Sequence, residues 1–219
     1  MKLKMDEKIR FQIQPRADRV KLKSPLEELF IETLEKYLAS EVEILPQYEV
    51  NTLAGKFRLD FLLTVNSKKV AFECDGAEFH DKWHDEWRDS LILGTGNIDA
   101  IYRFRGKDIH TFLQDCIYLI YHFDKEFFYD RYSLISSGLI SEELKKQMQN
   151  FDQKEKIMIG YKAIDEYGNQ VGWLGLEIGR RDKNDKAGHW NVLYNVAKNN
   201  LGLRIEELME ISKREWGWL

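Results

Sequence analysis

The chain has 219 residues, a net charge of −4 and 43% hydrophobic residues. At roughly 150 residues per domain, this length predicts one full core with an appendage, and the apolar content is too high for a disordered protein. No apolar run approaches the roughly 20 residues that cross a bilayer, and the charged start lacks a signal-peptide pattern. Cys74 and Cys116 lie outside paired motifs, which argues against a disulfide framework. We therefore expect a cytoplasmic protein and neither a membrane nor a secreted one.

Charge is distributed unevenly along the chain. Residues 1–23 hold eight basic and three acidic side chains, which gives this segment a net charge of +5 and leaves −9 for the remainder. A basic arm on an acidic body can bind phosphate locally, and Lys21 and Lys23 at its end are candidate nucleic-acid contacts. A solvated tail without a ligand is the competing interpretation.

The first predicted element is a helix that begins at Pro25. Ser24 is a good N-cap, proline suits the first helical position, and Glu27 completes a capping box. Apolar residues then recur at helical spacing as far as Leu38. We expect this helix to end before Pro46.

Four predicted strands and two predicted helices follow this first helix. Three strand-like runs are followed by a polar helix, a fourth strand and an apolar helix. In chain order these runs cover 48–50, 57–65, 70–74, 82–93, 100–104 and 108–121. The order predicts a mixed α/β domain, to which we assign residues 24–125.

The rest of the chain is predicted to form a connector and a smaller unit. Residues 126–150 are assigned as a helical connector that ends in a charged helix. Two strand-like runs, 157–164 and 171–178, and two helical segments, 190–198 and 205–213, then predict a small α+β domain over 151–219. This domain is a candidate surface for a protein partner or a homodimer. Its tryptophans could stack on bases, although aromatic residues at such spacing more often belong to a core.

Acidic residues are concentrated on one predicted β-hairpin. A two-residue turn at Asn66-Ser67 places Asp60 opposite Glu73, and a four-residue turn places it opposite Asp75. Because strand side chains alternate, the three carboxylates share one face for either turn. The other face is predicted to supply the core with Leu59, Phe61, Leu63, Val70, Phe72 and Cys74.

Three acids on one strand face point to a divalent cation. Directly opposed like charges destabilise a sheet by up to about 1 kcal/mol. Mg²⁺ or Mn²⁺ would offset this repulsion, since Mg²⁺ binds one or two carboxylates together with water and substrate phosphate. A bound ion also activates water and neutralises the charge that develops on a phosphodiester. The competing interpretation is a solvated acidic face screened by Arg58.

His80 follows Asp75 by five residues, after Gly76. A histidine within reach of a metal-bound water or a scissile phosphate is a natural general base. Taken alone, it would more often be a hydrogen-bonding residue at a helix start. His84 and Asp85 add helical metal-ligand spacing, but the nearby sequence offers no further ligand suited to zinc.

Several of these residues form an ordered pattern. It consists of Ser24-Pro-Leu-Glu27, Gln47 before a strand, Asp60 in Arg-Leu-Asp-Phe, Glu73-x-Asp75-Gly76 with His80, Asp85-x-x-Arg88-Asp89-x-Leu91, a glycine, and Ile101-Tyr-Arg103-Phe104. The pattern resembles the Vsr-like (very-short-patch-repair-like) branch of the PD-(D/E)xK restriction-endonuclease-like nuclease superfamily, over about residues 24–122. This resemblance implies a restriction-endonuclease-like core, a mixed sheet flanked by helices.

The resemblance also implies roles for individual residues. Asp60 and Glu73 would bind Mg²⁺, with help from the backbone carbonyl of Cys74. Glu27 would be an auxiliary acid and His80 the base, although Glu27 could equally serve the capping box alone.

Two positions depart from the superfamily pattern. Asp75 stands where the namesake lysine usually lies, as is common in the Vsr-like branch, and remains a candidate catalytic residue. Leu59 replaces the proline.

Three arginines are candidate phosphate contacts: Arg58, Arg88 and Arg103. Arg88 could instead form an ion pair with Asp89, and Arg103 could pair with Asp85.

Together these features predict a Mg²⁺-dependent endonuclease that hydrolyses DNA, in repair, restriction, defence or a mobile element. The alternative is a non-catalytic nucleic-acid-binding subunit of a larger complex that uses the same fold. RNA as the substrate also stays open.

Overall fold

The computed structural model describes residues 16–76, 81–149, 151–152 and 156–216. Within these ranges the chain forms six strands and seven α-helices. The strands are β1 (Glu43–Thr52), β2 (Gly55–Val65), β3 (Lys68–Asp75), β4 (Ala100–Arg105), β5 (Lys156–Ile164) and β6 (Gln170–Asp182). The helices are α1 (Pro25–Leu34), α2 (Lys82–Gly94), α3 (Gly106–Phe123), α4 (Tyr132–Leu139), α5 (Glu142–Met148), α6 (His189–Asn199) and α7 (Ile205–Trp216).

All six strands belong to one mixed sheet with the order β1-β2-β3-β4-β6-β5. Strands β3 and β4 run parallel and are connected through α2, whereas the other neighbours are antiparallel. The predicted α/β class, a mixed sheet flanked by helices, is confirmed. Among the described residues, no helix has both the length and the apolarity needed to span a membrane.

Helices pack on both faces of the sheet. The larger core contains α1 and α3, with Phe30 of α1 against Phe61, Phe72 and Phe104 of the strands. On the other face, Ile92 of α2 and Trp190 of α6 belong to a second core with strand residues such as Leu62, Ala71 and Ile101. The sheet is therefore packed between two helical layers, and β3 and β4 end at the same edge of it.

The strands of the carboxy-terminal segment extend this sheet instead of building one of their own. Strand β6 pairs with β4 from Ala100↔Asp182 to Phe104↔Ile178, and β5 pairs with β6 at the sheet edge. The segment 151–219 thus has the predicted mixture of strands and helices but shares a sheet with residues 24–125.

The predicted hairpin has the two-residue turn. Val65 pairs with Lys68 and Phe61 with Phe72, so Asn66 and Ser67 form the turn and Asn66 has a positive φ of 53°. One apolar prediction was wrong: Leu59 packs in the second core, on the opposite face from Phe61. The side-chain alternation therefore changes phase between these two residues, at Asp60.

Candidate active site

Asp60 lies where β2 changes phase. The β1–β2 ladder runs through Pro46↔Phe61 and Tyr48↔Leu59, and Gln47 between them has a φ of 54°. One carboxylate oxygen of Asp60, Oδ2, accepts a hydrogen bond of 2.8 Å from the backbone N–H of Cys74. The irregular backbone thus directs the Asp60 carboxylate towards β3.

The environment of Asp60 raises its pKa to about 6, chiefly through burial. The nearby charges of Glu27 and Asp75 raise it further, while the Cys74 N–H and Arg88 lower it. Four acidic groups predicted as site residues are therefore electrostatically coupled around one point of the sheet: Glu27, Asp60, Glu73 and Asp75.

Glu73 of β3 is 4% exposed and is held by an arginine. Arg88 of α2 donates from Nη2 to Glu73 Oε1 at 2.7 Å and to the backbone carbonyl of Arg58 at 2.7 Å. Burial raises the pKa of Glu73 to about 8, and the charge of Asp60 adds to this rise, whereas Arg88 and Arg103 oppose it. Arg88 and Arg103 thus favour the ionised form of this carboxylate, but burial outweighs them.

Asp75 is bound by Arg103, which lies beside Glu73 in the parallel β3–β4 register. Arg103 Nη1 is 3.0 Å from Asp75 Oδ1 and 3.5 Å from Asp85 Oδ1. Its Nε and Nη2 each donate to Asp89 at 2.8 Å, which is the bidentate geometry of a strong arginine–carboxylate pair. Arg103 therefore contacts three carboxylates and is itself buried.

A second arginine also contacts Asp89, the most deeply buried of these acids. Arg181 of β6 lies 3.2 Å from Asp89 Oδ2 and also binds Glu86 of α2. Burial alone would raise the pKa of Asp89, but the two guanidinium groups hold it below its usual range. The site thus rests on a buried network of arginines and carboxylates that joins β4, β6 and α2.

Glu27 lies at the start of α1 and also faces the acidic site, the two roles predicted for it. Its backbone N–H donates to Ser24 Oγ at 3.2 Å, as in a capping box, but its Oε2 accepts from Lys23 N at 3.0 Å instead of from the N–H of the N-cap Ser24. Gln47 Nε2 also donates to this oxygen, at 3.1 Å. The same carboxylate raises the pKa of Asp60, so it faces the site as well as the helix terminus.

A cleft of about 870 Å³ opens next to these groups, at the carboxyl ends of β3 and β4. Asp75 and Arg103 line it, together with residues from α2, α3, β5, β6 and α6. Four basic residues of its wall were not identified from the sequence: Lys82, Arg105, Lys107 and Lys156. Arg105 is the last residue of β4 and Lys107 follows it by two residues, and ligands of open α/β sheets bind at such strand ends. Their position at the end of a strand was therefore the feature of the sequence that could have identified these two residues.

Two carboxylate oxygens of the predicted site are candidates for contact with a metal ion. Nowhere in the described ranges does a group of three or more histidine, cysteine, aspartate or glutamate side chains have the arrangement to hold one. Within the same ranges, Asp60 Oδ1 and Glu73 Oε2 accept no hydrogen bond. Two carboxylate oxygens suit Mg²⁺, which keeps several waters and shares substrate phosphate. The residues that would hold such an ion are Asp60 and Glu73, and Arg88 already contacts the other oxygen of Glu73.

The remaining predicted residues fall into separate groups. Arg88 and Arg103 are engaged with carboxylates inside the protein, whereas Arg58 and Lys23 are exposed. Lys21 lies 3.6 Å from Asp18. Cys74 contacts Asp60 through its backbone N–H, and the predicted role of its carbonyl as a metal ligand stays a prediction. His80 lies outside the described residues, as does the basic segment 1–15.

Comparison with known proteins adds no relative: no family model, no curated protein and no solved structure matches the chain.

Proposed function

We propose that this protein is a metal-dependent endonuclease that hydrolyses phosphodiester bonds in DNA. The observation that carries the proposal is the pair Asp60 and Glu73, adjacent acids on neighbouring strands whose pKa values are both raised. Such shifts are concentrated at functional sites. Mg²⁺ or Mn²⁺, when bound, would supply an activated water and positive charge for the phosphodiester. In this proposal Asp60 and Glu73 hold the ion through the oxygens that accept no hydrogen bond within the described residues.

Arg88 and Arg103 prepare these acids. Arg88 lowers the pKa of Glu73 against the effect of burial and orients its carboxylate through a 2.7 Å contact that leaves the second oxygen of Glu73 to the ion. Arg103 holds Asp75 at the cleft wall. Glu27, close enough to influence Asp60, would be an auxiliary acid, and His80 stays the proposed base.

The cleft supports a polyanionic substrate. Lys82 and Lys107 are exposed at its wall, and neither forms an ion pair with another described residue. Lysine ammonium groups bind phosphate as mobile point charges, and each neutralised phosphate releases a counterion. DNA whose backbone follows this wall would bring a phosphodiester towards Asp75 and the neighbouring acids.

The test is cleavage of supercoiled plasmid in Mg²⁺ and in Mn²⁺, compared with EDTA. We expect nicking or linearisation by the wild type, and at least a 100-fold slower reaction for Asp60→Asn and for Glu73→Gln. Glu49→Gln, which changes an exposed strand carboxylate away from the site, is the matched control and should cleave normally. Circular dichroism of each variant must show the native fold. A folded wild type that cuts nothing contradicts the proposal.

One observation favours the alternative function. Glu73 and Asp75 are already paired with Arg88 and Arg103, as expected of a site that has exchanged metal binding for structural ion pairs. A non-catalytic subunit would bind DNA with the same affinity in EDTA and in Mg²⁺, and would show no saturable uptake of divalent metal. Calorimetric titration therefore separates the two functions.

A further inference from the structure

Strands β5 and β6 continue past the end of the sheet as an arm. Pairing between β4 and β6 stops at Phe104↔Ile178, but β5 and β6 stay paired as far as Ile164↔Gln170. The arm, which we define as residues 162–174, therefore projects beyond the sheet edge at which β4 ends. That edge is also the edge of the cleft.

The base of the arm is fixed. Tyr161 stacks on Phe112 of α3 with 4.0 Å between the ring centroids, and its hydroxyl donates to Asp115 at 2.8 Å. Gln147 of α5 donates to the backbone carbonyl of Gly160 at 2.9 Å. A ligand that contacts the arm would therefore meet a preorganised surface, which lowers the entropic cost of binding.

One face of the arm continues the wall of the cleft. Lys162 is directly opposite Trp173, and the same register puts Lys156 opposite Gly179, which lines the cleft. Because side chains alternate along a strand, Lys156, Lys162 and Trp173 share this face. Ile157, Ile159 and Leu176 point to the other side, into the larger core.

This face is apolar, aromatic and positively charged. Trp173 is 68% exposed, and Val171 and Met158 on the same face are also exposed. Glu177, the acid on this face, is bound by both Arg105 at 2.6 Å and Lys156 at 3.0 Å. Lys162 forms no ion pair with any described residue. The free charge on this face is therefore positive, and an exposed indole lies beside it.

We infer that this face binds a single-stranded segment of nucleic acid, with Trp173 stacked on an unpaired base and Lys162 and Lys156 at its phosphates. Exposed aromatic rings that alternate with cations are the means by which proteins bind single strands without sequence preference. The inference rests on the proposed function and specifies its substrate class, DNA with an unpaired segment next to the cut. The strand would end short of the arm tip, where Asp165 and Glu166 are acidic.

The test is fluorescence anisotropy of a labelled 20-nucleotide single strand and of the matching duplex, both in EDTA. Stacking of a base on an aromatic ring contributes about 1–3 kcal/mol, so Trp173→Ala should weaken single-strand binding about 5- to 150-fold. Trp173→Phe should recover part of this loss. Lys162→Gln should lower the salt slope by about 0.7. Leu174→Ala, on the opposite face of the same strand, is the matched control and should bind within twofold of the wild type.

Three results would overturn the inference: no single-strand binding by the wild type, unchanged binding by Trp173→Ala, or conversion of a dimer to a monomer by that variant. The last, measured by sedimentation, would identify the face as a contact between two copies of the chain. Because EDTA removes the metal, this assay is independent of cleavage. Failure of the wild type to cut plasmid would contradict the proposed function but would not affect the binding result.

Discussion

Asp89 is the residue on which the buried charges of the site depend. It is fully buried and accepts two hydrogen bonds from Arg103, and Arg181 lies 3.2 Å away. The sequence left its partner open, since Arg88 lies next to it in the chain. The structure pairs Arg88 with Glu73 instead. Arg103 pairs with Asp85, which was one of its two predicted roles, and also with Asp89, which was not predicted. The carboxylate that each arginine contacts depends on where strands and helices meet, which a single sequence does not reveal.

Removing the charge of Asp89 should therefore destabilise the protein. Asp89→Asn leaves two buried guanidinium groups without a full counter-charge, and breaking a buried ion pair costs about 3–5 kcal/mol. Urea unfolding at pH 7 measures the change in the free energy of unfolding. Glu49→Gln, an exposed carboxylate, should change it by less than about 0.5 kcal/mol. A loss below about 1 kcal/mol for Asp89→Asn would show that the network is not structural.

The raised pKa values of Asp60 and Glu73 predict how cleavage depends on pH. Both acids must be ionised to hold a cation, and their pKa values are about 6 and about 8. The rate should therefore rise steadily from pH 5.5 through pH 8 and level off above about pH 9. Because the unfolded chain releases these protons at lower pH, the two acids contribute less to stability as the pH rises through the same range. Circular dichroism at each pH checks the fold, and a flat profile between pH 5.5 and 8 contradicts the assignment.

At the scale of elements, turn and cap residues in the sequence predicted where elements begin and end, whereas irregular backbone could not be predicted. Helix α2 was predicted over 82–93 and spans Lys82–Gly94, because Asp81 caps it by accepting hydrogen bonds from Trp83 and His84. Strand β1 was predicted as three residues but spans ten, since the turn signal of Pro46 was interpreted as a boundary. Helix α1 ends at Leu34, short of the predicted pattern, and Leu38 forms an isolated bridge with Phe128 instead of a further helical turn.

The double role of Glu27 at the start of α1 can be separated by substitution. Glutamine also completes a capping box, so Glu27→Gln should keep the free energy of unfolding within about 0.5 kcal/mol. If the carboxylate acts in the site, as the resemblance implies, the same variant should cleave at least tenfold more slowly.

Ser24→Ala is the matched control for Glu27→Gln. It removes the cap, which costs about 1 kcal/mol, and keeps the acid, so the folded fraction should cleave at the wild-type rate. Glu27→Gln that cleaves like the wild type would restrict this residue to capping.

At the scale of the molecule, one sheet joins the segments that the sequence divides into domains. Tyr102 of β4 hydrogen-bonds Asp124, and Arg180 of β6 donates to the Tyr102 hydroxyl at 3.0 Å. The strands and helices of 151–219 could be predicted from their periodicity. Their attachment to β4 could not, because strand order depends on contacts far apart in the chain.

A chain that ends at residue 150 should therefore fail to fold cooperatively. It would expose the edge of β4, remove Arg181 from Asp89 and remove Arg180 from Tyr102. Urea unfolding followed by circular dichroism should show a broad transition, compared with a single steep one for the full chain. A steep transition for the shortened chain would show that residues 24–125 form an independent domain.

Titration of the full chain with Mn²⁺ tests the central claim most directly, because the proposed function depends on Asp60 and Glu73 sharing one ion. Calorimetry of the wild type should show one saturable site per chain. Asp60→Asn and Glu73→Gln should each weaken that site at least tenfold, and Glu49→Gln should leave it unchanged. No saturable binding by the wild type, or equal binding by Asp60→Asn, would contradict the account.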